Sequence, residues 1–437
     1  MKQLIVISCP IDTYSGYGAR SRDIVKALLK VDKYEVKILP QRWGSTPFGF
    51  LQADNPEHKQ ILDCLLPQPQ LPRQPDCWIQ ITVPNEFQPV GKFNIGITAG
   101  IETTICDPSW LEGINRMNLT LVSSNHAKQV FEQSAFEQRD KATNQLVKTV
   151  KLEKPVEVLF EGVDTSIYQK LDAINESEVW DVLDTVDEDF NFLFVGHWLQ
   201  GEIGQDRKDV GMLIKTFLET FKGKGKKPGL ILKTSGGTYS IMDKDSVLEK
   251  INSIRASIGN NDILPNIYLL HGELSDEEVN ELYNHPKIKA HVTFTKGEGY
   301  GRPLIEASVS QKPVIAPNYS GHTDFLDAEM STLLSGQISK IHPSAVVENM
   351  LLADSGWFTV DYKIAAETLE DVYKNYKKYL DGAKRQAYKS RTEFSLEKMA
   401  EKLNAIIEEK VPKQVALKLP QLKKIELPKL KKAEDDK

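Results

Sequence analysis

Residues 290–306 read AHVTFTKGEGYGRPLIE, and this stretch decides the fold. The apolar run at 290–294 is typical of a buried strand, and the glycines that follow it mark a turn. Pro303 suits the first position of a helix, because a proline there lacks only an amide that the helix would leave unpaired. The pattern predicts one strand–turn–helix unit of a parallel α/β sheet.

The same alternation of strand and helix patterns extends along most of the chain. In the first half, apolar runs predict strands at 3–7, 35–38, 77–82, 93–97, 119–122 and 156–159, with helices at 19–29 and 125–131. In the second half, strands are predicted at 191–196, 230–233, 267–270, 290–294 and 313–316, with amphipathic helices between them. Two Rossmann-like domains in tandem are the economical interpretation.

The predicted boundaries divide the chain into four parts. We expect a first Rossmann-like domain over residues 1–175, an acidic linker at 176–189 and a second such domain over 190–385. Residues 386–410 predict a helix that returns to the first domain. In the flexible tail predicted at 411–437, LPQLKK at 419–424 recurs as LPKLKK at 427–432. Such a tail either recruits a protein or nucleic-acid partner or simply improves solubility.

Composition restricts the class of protein. With 40% hydrophobic and 27% charged residues, the chain is typical of soluble globular proteins. No apolar run approaches the roughly 20 residues that a membrane-spanning helix needs. The four cysteines are scattered without the spacing of a zinc site or a disulfide framework, which favours a reducing cytoplasm.

The glycine-rich turn predicts an anion site. Its three glycines let the backbone approach a ligand closely, and we expect the amides of Leu304 and Ile305 to face a diphosphate. Glu298 in the loop is placed to bind a sugar hydroxyl, and Glu306 in the first helical turn to bind a ribose diol, since carboxylate oxygens accept from vicinal hydroxyls. A capped helix with a solvated face is the structural alternative.

Residues 297–308, together with KPVIA at 312–316 and GHTD at 321–324, resemble the E-x7-E signature of family-4 retaining glycosyltransferases. The resemblance implies the GT-B fold, in which two Rossmann-like domains face each other across a cleft and the C-terminal one holds a nucleotide-sugar donor. It also implies that Glu298 contacts the transferred sugar and that Glu306 contacts the donor ribose.

Two further segments resemble parts of the family's donor site. SGYGAR at 15–20 resembles the glycine loop of the facing domain, and 195–210 resembles the phosphate-binding region, where His197 stands in place of an expected arginine. Arg207 or Lys208 is left to neutralise the diphosphate, with Lys233 as another candidate. The predicted catalytic residues are Glu298, Arg207 and Lys208, and the predicted donor-binding residues are Gly16, Gly18, Gly196, His197, Lys233, Gly299, Tyr300, Gly301, Pro303, Leu304 and Glu306.

We therefore expect a cytoplasmic enzyme that transfers a hexosyl or pentosyl group from a nucleotide sugar to a hydroxyl, with no metal and no tightly bound cofactor. Retention of configuration is implied by the resemblance alone. A GT-B epimerase or phosphorylase and a non-catalytic sugar-nucleotide binder are the alternatives. The acceptor stays open among glycans, lipids, metabolites and hydroxymethylated DNA bases, and the acidic body of the chain disfavours DNA. Glu102 resembles an acid that the family places near the acceptor cleft, although surface glutamates are common.

Overall fold

The computed structural model describes residues 2–44, 46–71, 73–140, 142–173, 177–259 and 263–413. Two six-stranded sheets organise these residues, and every strand pair within each of the two sheets is parallel. The doubled LPxLKK motif predicted as a recruitment element lies outside the described residues.

The first domain comprises strands β1 to β8 and helices α1 to α4. Their bounds are β1 Gln3–Cys9, α1 Gly16–Val31, β2 Tyr34–Pro40, α2 Pro56–Leu62, β3 Cys77–Ile81, β4 Phe93–Thr98, α3 Pro108–Arg116, β5 Leu119–Val122, α4 Asn125–Gln133, β6 Ala135–Arg139, β7 Leu146–Lys151 and β8 Val156–Val158. The sheet order is β2-β1-β3-β4-β5-β8, and β6 pairs with β7 as a separate hairpin.

The second domain repeats this plan. Its elements are α5 Glu178–Asp184, β9 Asn191–Val195, α6 Val210–Phe221, β10 Gly229–Lys233, α7 Ile241–Ile258, β11 Ile267–Leu270, α8 Asp276–Asn284, β12 Ile288–Val292, α9 Arg302–Ser308, β13 Val314–Pro317 and β14 Thr332–Leu334. The sheet order is β11-β10-β9-β12-β13-β14. A hairpin of β15 Gly336–Lys340 and β16 Gly356–Val360 follows, and then α10 Tyr362–Lys374, α11 Leu380–Glu393 and α12 Leu396–Lys410.

Each sheet is buried on both faces, which explains why its strands are nearly continuous apolar runs. In β1, for example, Leu4 and Val6 join one hydrophobic cluster while Ile5 and Ile7 join the cluster on the opposite face. The alternation of side chains along a strand sends neighbouring residues into different cores. The strand pattern read from the sequence therefore corresponds to a three-layer arrangement in each domain.

The last described helix packs on the first domain. From α12, Met399, Leu403 and Ile407 are buried in the same cluster as β1 and α1. Val411, predicted as the first residue of the tail, is also buried in this cluster, and Gln3 donates a hydrogen bond to the carbonyl of Pro412 at 2.9 Å. The packed chain thus extends past the end of α12.

Two further details differ from the sequence predictions. Strand β12 covers Ile288–Val292, two residues earlier than predicted, because the backbone bends after Val292 to bring Lys296 against the carbonyl of Arg207 at 2.7 Å. The segment predicted as a linker contains α5, which Ser177 caps. Val179 and Leu183 recur at helical spacing and pack into the second domain, so they favour a helix over an extended linker.

The two domains touch through backbone and side-chain contacts beside the cleft. Ser123 donates from Oγ to the carbonyl of Gly299 at 3.0 Å, and the amide of Asn125 donates to Asp324 at 2.8 Å. Within the described residues, no helix is long and apolar enough to cross a membrane. All four cysteines are free thiols.

Candidate functional site

A cleft of about 480 Å³ lies between the carboxyl ends of the two sheets, the edge at which parallel α/β sheets bind ligands. Both domains line it. Twelve of the fourteen predicted site residues face this space, namely Gly16, Gly196, His197, Arg207, Lys208, Lys233, Glu298, Gly299, Tyr300, Gly301, Pro303 and Glu306. The fold therefore brings together residues that are up to 290 positions apart in the sequence.

Gly18 and Leu304 do not line the cleft. A side chain at Gly18 would place its Cβ 2.3 Å from the carbonyl oxygen of Thr13, so this glycine permits close packing inside the first domain. Leu304 is buried in the hydrophobic core of the second domain. Both residues serve packing in this structure, and their contacts with a donor stay a prediction.

The two backbone amides predicted to bind a diphosphate already donate hydrogen bonds within the protein. Both Leu304 and Ile305 donate to the carbonyl of Gly301, at 2.9 and 3.3 Å, which tightens the first turn of α9. Within the described part of the chain, the amides of Gly299, Tyr300 and Gly301 donate no hydrogen bond. The unpaired donors lie in the turn before the helix, one turn earlier than the sequence predicted.

The glycines of the turn also serve the contact between the domains. A Cβ on Gly297 would lie 2.2 Å from the carbonyl oxygen of Glu102, and one on Gly299 would lie 2.4 Å from that of Ala99. Gly301 has a φ of 99°, in the left-handed region that favours glycine. The backbone of this turn therefore does come close to other groups, and at Gly297 and Gly299 these groups belong to the first domain.

Three charged side chains form the centre of the cleft. Lys208 Nζ lies 2.5 Å from Glu298 Oε1, and Arg207 lies 3.5 Å from Glu298 Oε2. Burial alone would raise the pKa of Glu298, but the charges of Lys208 and Arg207 outweigh it and lower this pKa to about 2. Glu298 is therefore ionised across the physiological range, and both neighbouring cations are within reach of a ligand.

Glu102 completes this cluster from the first domain. Its carboxylate lies 3.7 Å from Arg207 and faces the cleft, so it is not an ordinary surface glutamate. Burial would lower the pKa of Arg207, but Glu102 and Glu298 raise it above its usual value. Arg207 is thus shared between carboxylates of the two domains.

A second charged group surrounds Arg302, which the sequence did not single out. Arg302 pairs with Asp23 of the first domain at 2.7 Å and lies 3.6 Å from both Glu161 and Glu306. Burial raises the pKa of Glu306 to about 7, against the opposing effect of Arg302. In the sequence, the only indication that Arg302 pairs with Glu306 was their spacing of four residues along a predicted helix.

The predicted phosphate-binding region contains a neutral histidine beside two lysines. His197 shares a hydrogen bond with Ser235 at 3.1 Å, and burial together with the charges of Lys208 and Lys233 lowers its pKa. Lys233 donates to the carbonyl of Gly272 at 2.5 Å, and burial lowers its pKa. Positive charge in this region therefore comes from the lysines and Arg207 rather than from His197.

A buried ion pair fixes the segment behind the site. Lys296 and Asp209 are fully buried, with Nζ and Oδ2 3.1 Å apart, and Tyr362 donates to the same carboxylate at 2.7 Å. This pair joins the residue after Lys208 to the residue before Gly297. Among the described residues, no group of three or more His, Cys, Asp or Glu side chains is placed to hold a metal ion.

No protein-family model and no curated protein matches the sequence. The fold resembles that of HepE from Anabaena in complex with UDP and glucose, with a TM-score of 0.58 and 13% identity over 93% of this chain and 99% of that one. Sucrose-phosphate synthase from Thermosynechococcus elongatus gives a TM-score of 0.60 and 12% identity over 93% and 98% of the two chains. A glycosyltransferase from Rickettsia africae gives a TM-score of 0.59 and 12% identity over 93% of this chain and 98% of that one.

Sequence identities this low show that the fold is shared, but they do not show the activity. The activity has to be argued from the residues of the site. Two parallel sheets, each covered on both faces, flank one cleft in which the residues of both domains meet. The chain therefore has the GT-B fold, as its sequence predicted.

Proposed function

We propose that this protein is a glycosyltransferase that moves a sugar from a nucleotide-sugar donor to a hydroxyl acceptor. The observation that carries the proposal is the convergence of Arg207, Lys208, Glu298 and Glu306 on one interdomain cleft beside a glycine-rich turn. Cations, two carboxylates and unpaired backbone amides provide complementary groups for a diphosphate, a sugar and a ribose. A solvated helix cap would not bury these charges together.

The cationic part of the cleft suits the diphosphate. Lys208 and Arg207 both contact Glu298 in the free protein, and a diphosphate would compete with this carboxylate for them. The unpaired amides of Gly299, Tyr300 and Gly301 add uncharged donors. Transfer leaves a nucleoside diphosphate with new negative charge, so these groups would stabilise the leaving group as the bond to the sugar breaks.

The two carboxylates suit the neutral parts of the donor. Glu298 is ionised and accepts hydrogen bonds, which matches sugar hydroxyls next to the diphosphate. The raised pKa of Glu306, about 7, lets this residue exist in both protonation states near neutral pH. In either state it accepts a hydrogen bond from a ribose hydroxyl.

The donor we propose is a UDP-sugar, because HepE was solved with UDP and glucose and also with UDP-glucose. Retention of configuration, independence from metal ions and the choice between a hexosyl and a pentosyl group follow the family resemblance and stay predictions. So does a cytoplasmic location. The acceptor would enter from the first domain, where Glu102 lies beside Arg207 and can orient its hydroxyl.

Incubation with UDP-sugars in the absence of acceptor tests the proposal. We expect slow hydrolysis that releases UDP, and Glu298→Gln should reduce it by on the order of 100-fold. Glu219→Gln, an exposed change on α6, is the matched control and should hydrolyse the donor at the wild-type rate. An epimerised donor would instead indicate an epimerase, and binding of UDP without turnover would indicate a sugar-nucleotide binder.

A further inference from the structure

Four aromatic side chains of the first domain lie together beside the cleft. Tyr14 and Phe48 are exposed, and Trp43 and Phe50 are half-buried. We call Tyr14, Trp43, Phe48 and Phe50 the aromatic face. Tyr14 is 41% exposed and Phe48 is 45% exposed, although both belong to residue types that ordinarily lose most of their surface on folding. Exposed rings gathered in one place mark a binding surface more often than scattered ones do.

The aromatic face is continuous with the cleft. The ring of Trp43 stacks on that of Tyr17, with centroids 4.0 Å apart and planes 23° apart. Tyr17 itself lines the cleft, and its hydroxyl shares a hydrogen bond with Thr98 at 2.9 Å. A ligand whose reacting end lies in the cleft can therefore extend outward over Trp43 without leaving the protein surface.

Local hydrogen bonds join the two loops that carry the rings. The face is built from the loops that follow β1 and β2, and Asp12 of the first loop accepts from the amides of Gly49 at 3.2 Å and Leu51 at 2.8 Å. The amide of Tyr14 donates to the carbonyl of Pro47 at 3.3 Å. Rings fixed before binding lose little conformational entropy when a ligand covers them.

The charges around the face decide the class of ligand. Residues 10–16 and 41–55 contain one basic side chain, Arg42, and two acidic ones, Asp12 and Asp54. Arg22 of α1 adds a second cation, which lies 3.4 Å from the centroid of the Phe50 ring and donates its hydrogen bonds to backbone carbonyls of the first loop. The guanidinium of Arg42 lies 5.7 Å from the centroid of the Phe48 ring. Binding of a nucleic acid depends on several cations along its phosphates, and these loops lack them. Uncharged sugar rings need none, because their C–H faces pack on aromatic rings while their hydroxyls stay in water.

We infer that the aromatic face binds the non-reacting rings of a neutral oligosaccharide acceptor, so that the acceptor of this protein is a glycan. The inference rests on the proposed function, since it uses the cleft as the place of transfer. Trp43 is the central contact because it links the face to Tyr17. Phe48 and Tyr14 offer the next rings outward.

Titration of the full chain with maltohexaose, cellohexaose and chitohexaose, each with and without UDP, tests the inference by calorimetry. We expect at least one of these neutral hexasaccharides to bind, and Trp43→Ala and Phe48→Ala each to weaken that binding by about tenfold. Trp43→Phe keeps a ring on Tyr17 and should recover most of the affinity. Tyr388→Ala removes an aromatic ring that is 72% exposed on α11, far from the face in sequence, and should change nothing.

The outcomes separate the inference from the proposed function. If UDP binds and the UDP-sugar is hydrolysed, but no hexasaccharide binds or Trp43→Ala binds it as wild type does, the aromatic face is not a glycan site. Binding of a single-stranded oligothymidylate that Trp43→Ala abolishes would also overturn the inference, in favour of nucleic acid. Failure of wild-type protein to bind UDP would refute the proposed function itself.

Discussion

Glutamine in place of Glu298 or of Glu306 should impair sugar transfer in both variants yet change stability in opposite directions. Each change removes a carboxylate charge and keeps the shape of the side chain. We expect each to lower turnover by on the order of 100-fold, because both carboxylates line the cleft in which we propose that the donor binds. The difference between them comes from their surroundings, which set the pKa of each carboxyl in the folded protein.

For Glu298, the folded-state pKa is lower than that of the unfolded chain. A carboxyl whose pKa falls from its ordinary value of 4.5 to about 2 contributes on the order of 3 kcal/mol to the free energy of unfolding at neutral pH. This contribution is fully present above pH 4.5 and is lost as the pH falls toward about 2. Glu298→Gln should therefore destabilise the protein at pH 7, and it also leaves Lys208 without its closest counter-charge.

For Glu306, the sign is reversed. Burial raises its pKa from 4.5 to about 7, so the folded protein binds the proton more tightly than the unfolded chain does. The favourable contribution is fully present below pH 4.5 and is lost as the pH rises through about 7. Glu306→Gln should therefore stabilise the protein at pH 8, by an amount on the order of 1–3 kcal/mol, and should lose this advantage below pH 4.5.

Urea denaturation at pH 5 and pH 8 measures these effects, and UDP release from a UDP-sugar measures turnover in the same preparations. The exposed change Glu219→Gln again serves as the control. If both variants lose stability equally at pH 8 and keep wild-type turnover, the glutamates only support the helix and the site assignment is wrong. If Glu306→Gln is destabilised at pH 8, our account of its surroundings is wrong.

Three further changes test other parts of the site. Lys208→Ala should weaken UDP binding by about 1.5–3 kcal/mol through loss of a charge-assisted hydrogen bond, measured by calorimetry; an effect from Arg207→Ala alone would reassign that role. Gly297→Ala should separate the domains, because its Cβ would lie 2.2 Å from the carbonyl oxygen of Glu102; an unchanged radius of gyration in solution scattering would contradict this. Truncation after Lys413 should reduce partner pull-down and leave donor hydrolysis and the thermal midpoint unchanged, and a lower midpoint would contradict the tail prediction.

The fold was largely predictable because both sheets are buried on both faces. Residues 4–7 of β1, for example, form a run in which every side chain is apolar, and such runs contrast sharply with the amphipathic helices that separate them. Helix α5 escaped prediction because its acidic surface resembles a linker. In the sequence of α5, its buried face is indicated only by Val179 and Leu183, which lie one turn apart.

The residues that line the candidate site were predictable where they are close in sequence. Glu298, Tyr300 and Glu306 belong to one turn and one helix, so a single motif contains them. The contact of Glu102 with Arg207 and that of Asp23 with Arg302 were not predictable, because these contacts cross between the domains. Their partners are 105 and 279 residues away in the sequence, and no local pattern records such a pairing.

The contact between the two domains also assembles the charged cluster of the cleft. Gly297 and Gly299 let the backbone of the second domain approach Ala99 and Glu102 of the first to distances that a side chain would forbid. That approach brings Glu102 to Arg207, which already contacts Glu298. Because the carboxylate of Glu102 reaches Arg207 only across this contact, its electrostatic influence on the candidate site depends on the contact between the domains. In the sequence, Gly297 and Gly299 resemble part of a phosphate-binding loop. The structure gives a second physical reason for these glycines, which is the close contact between the domains.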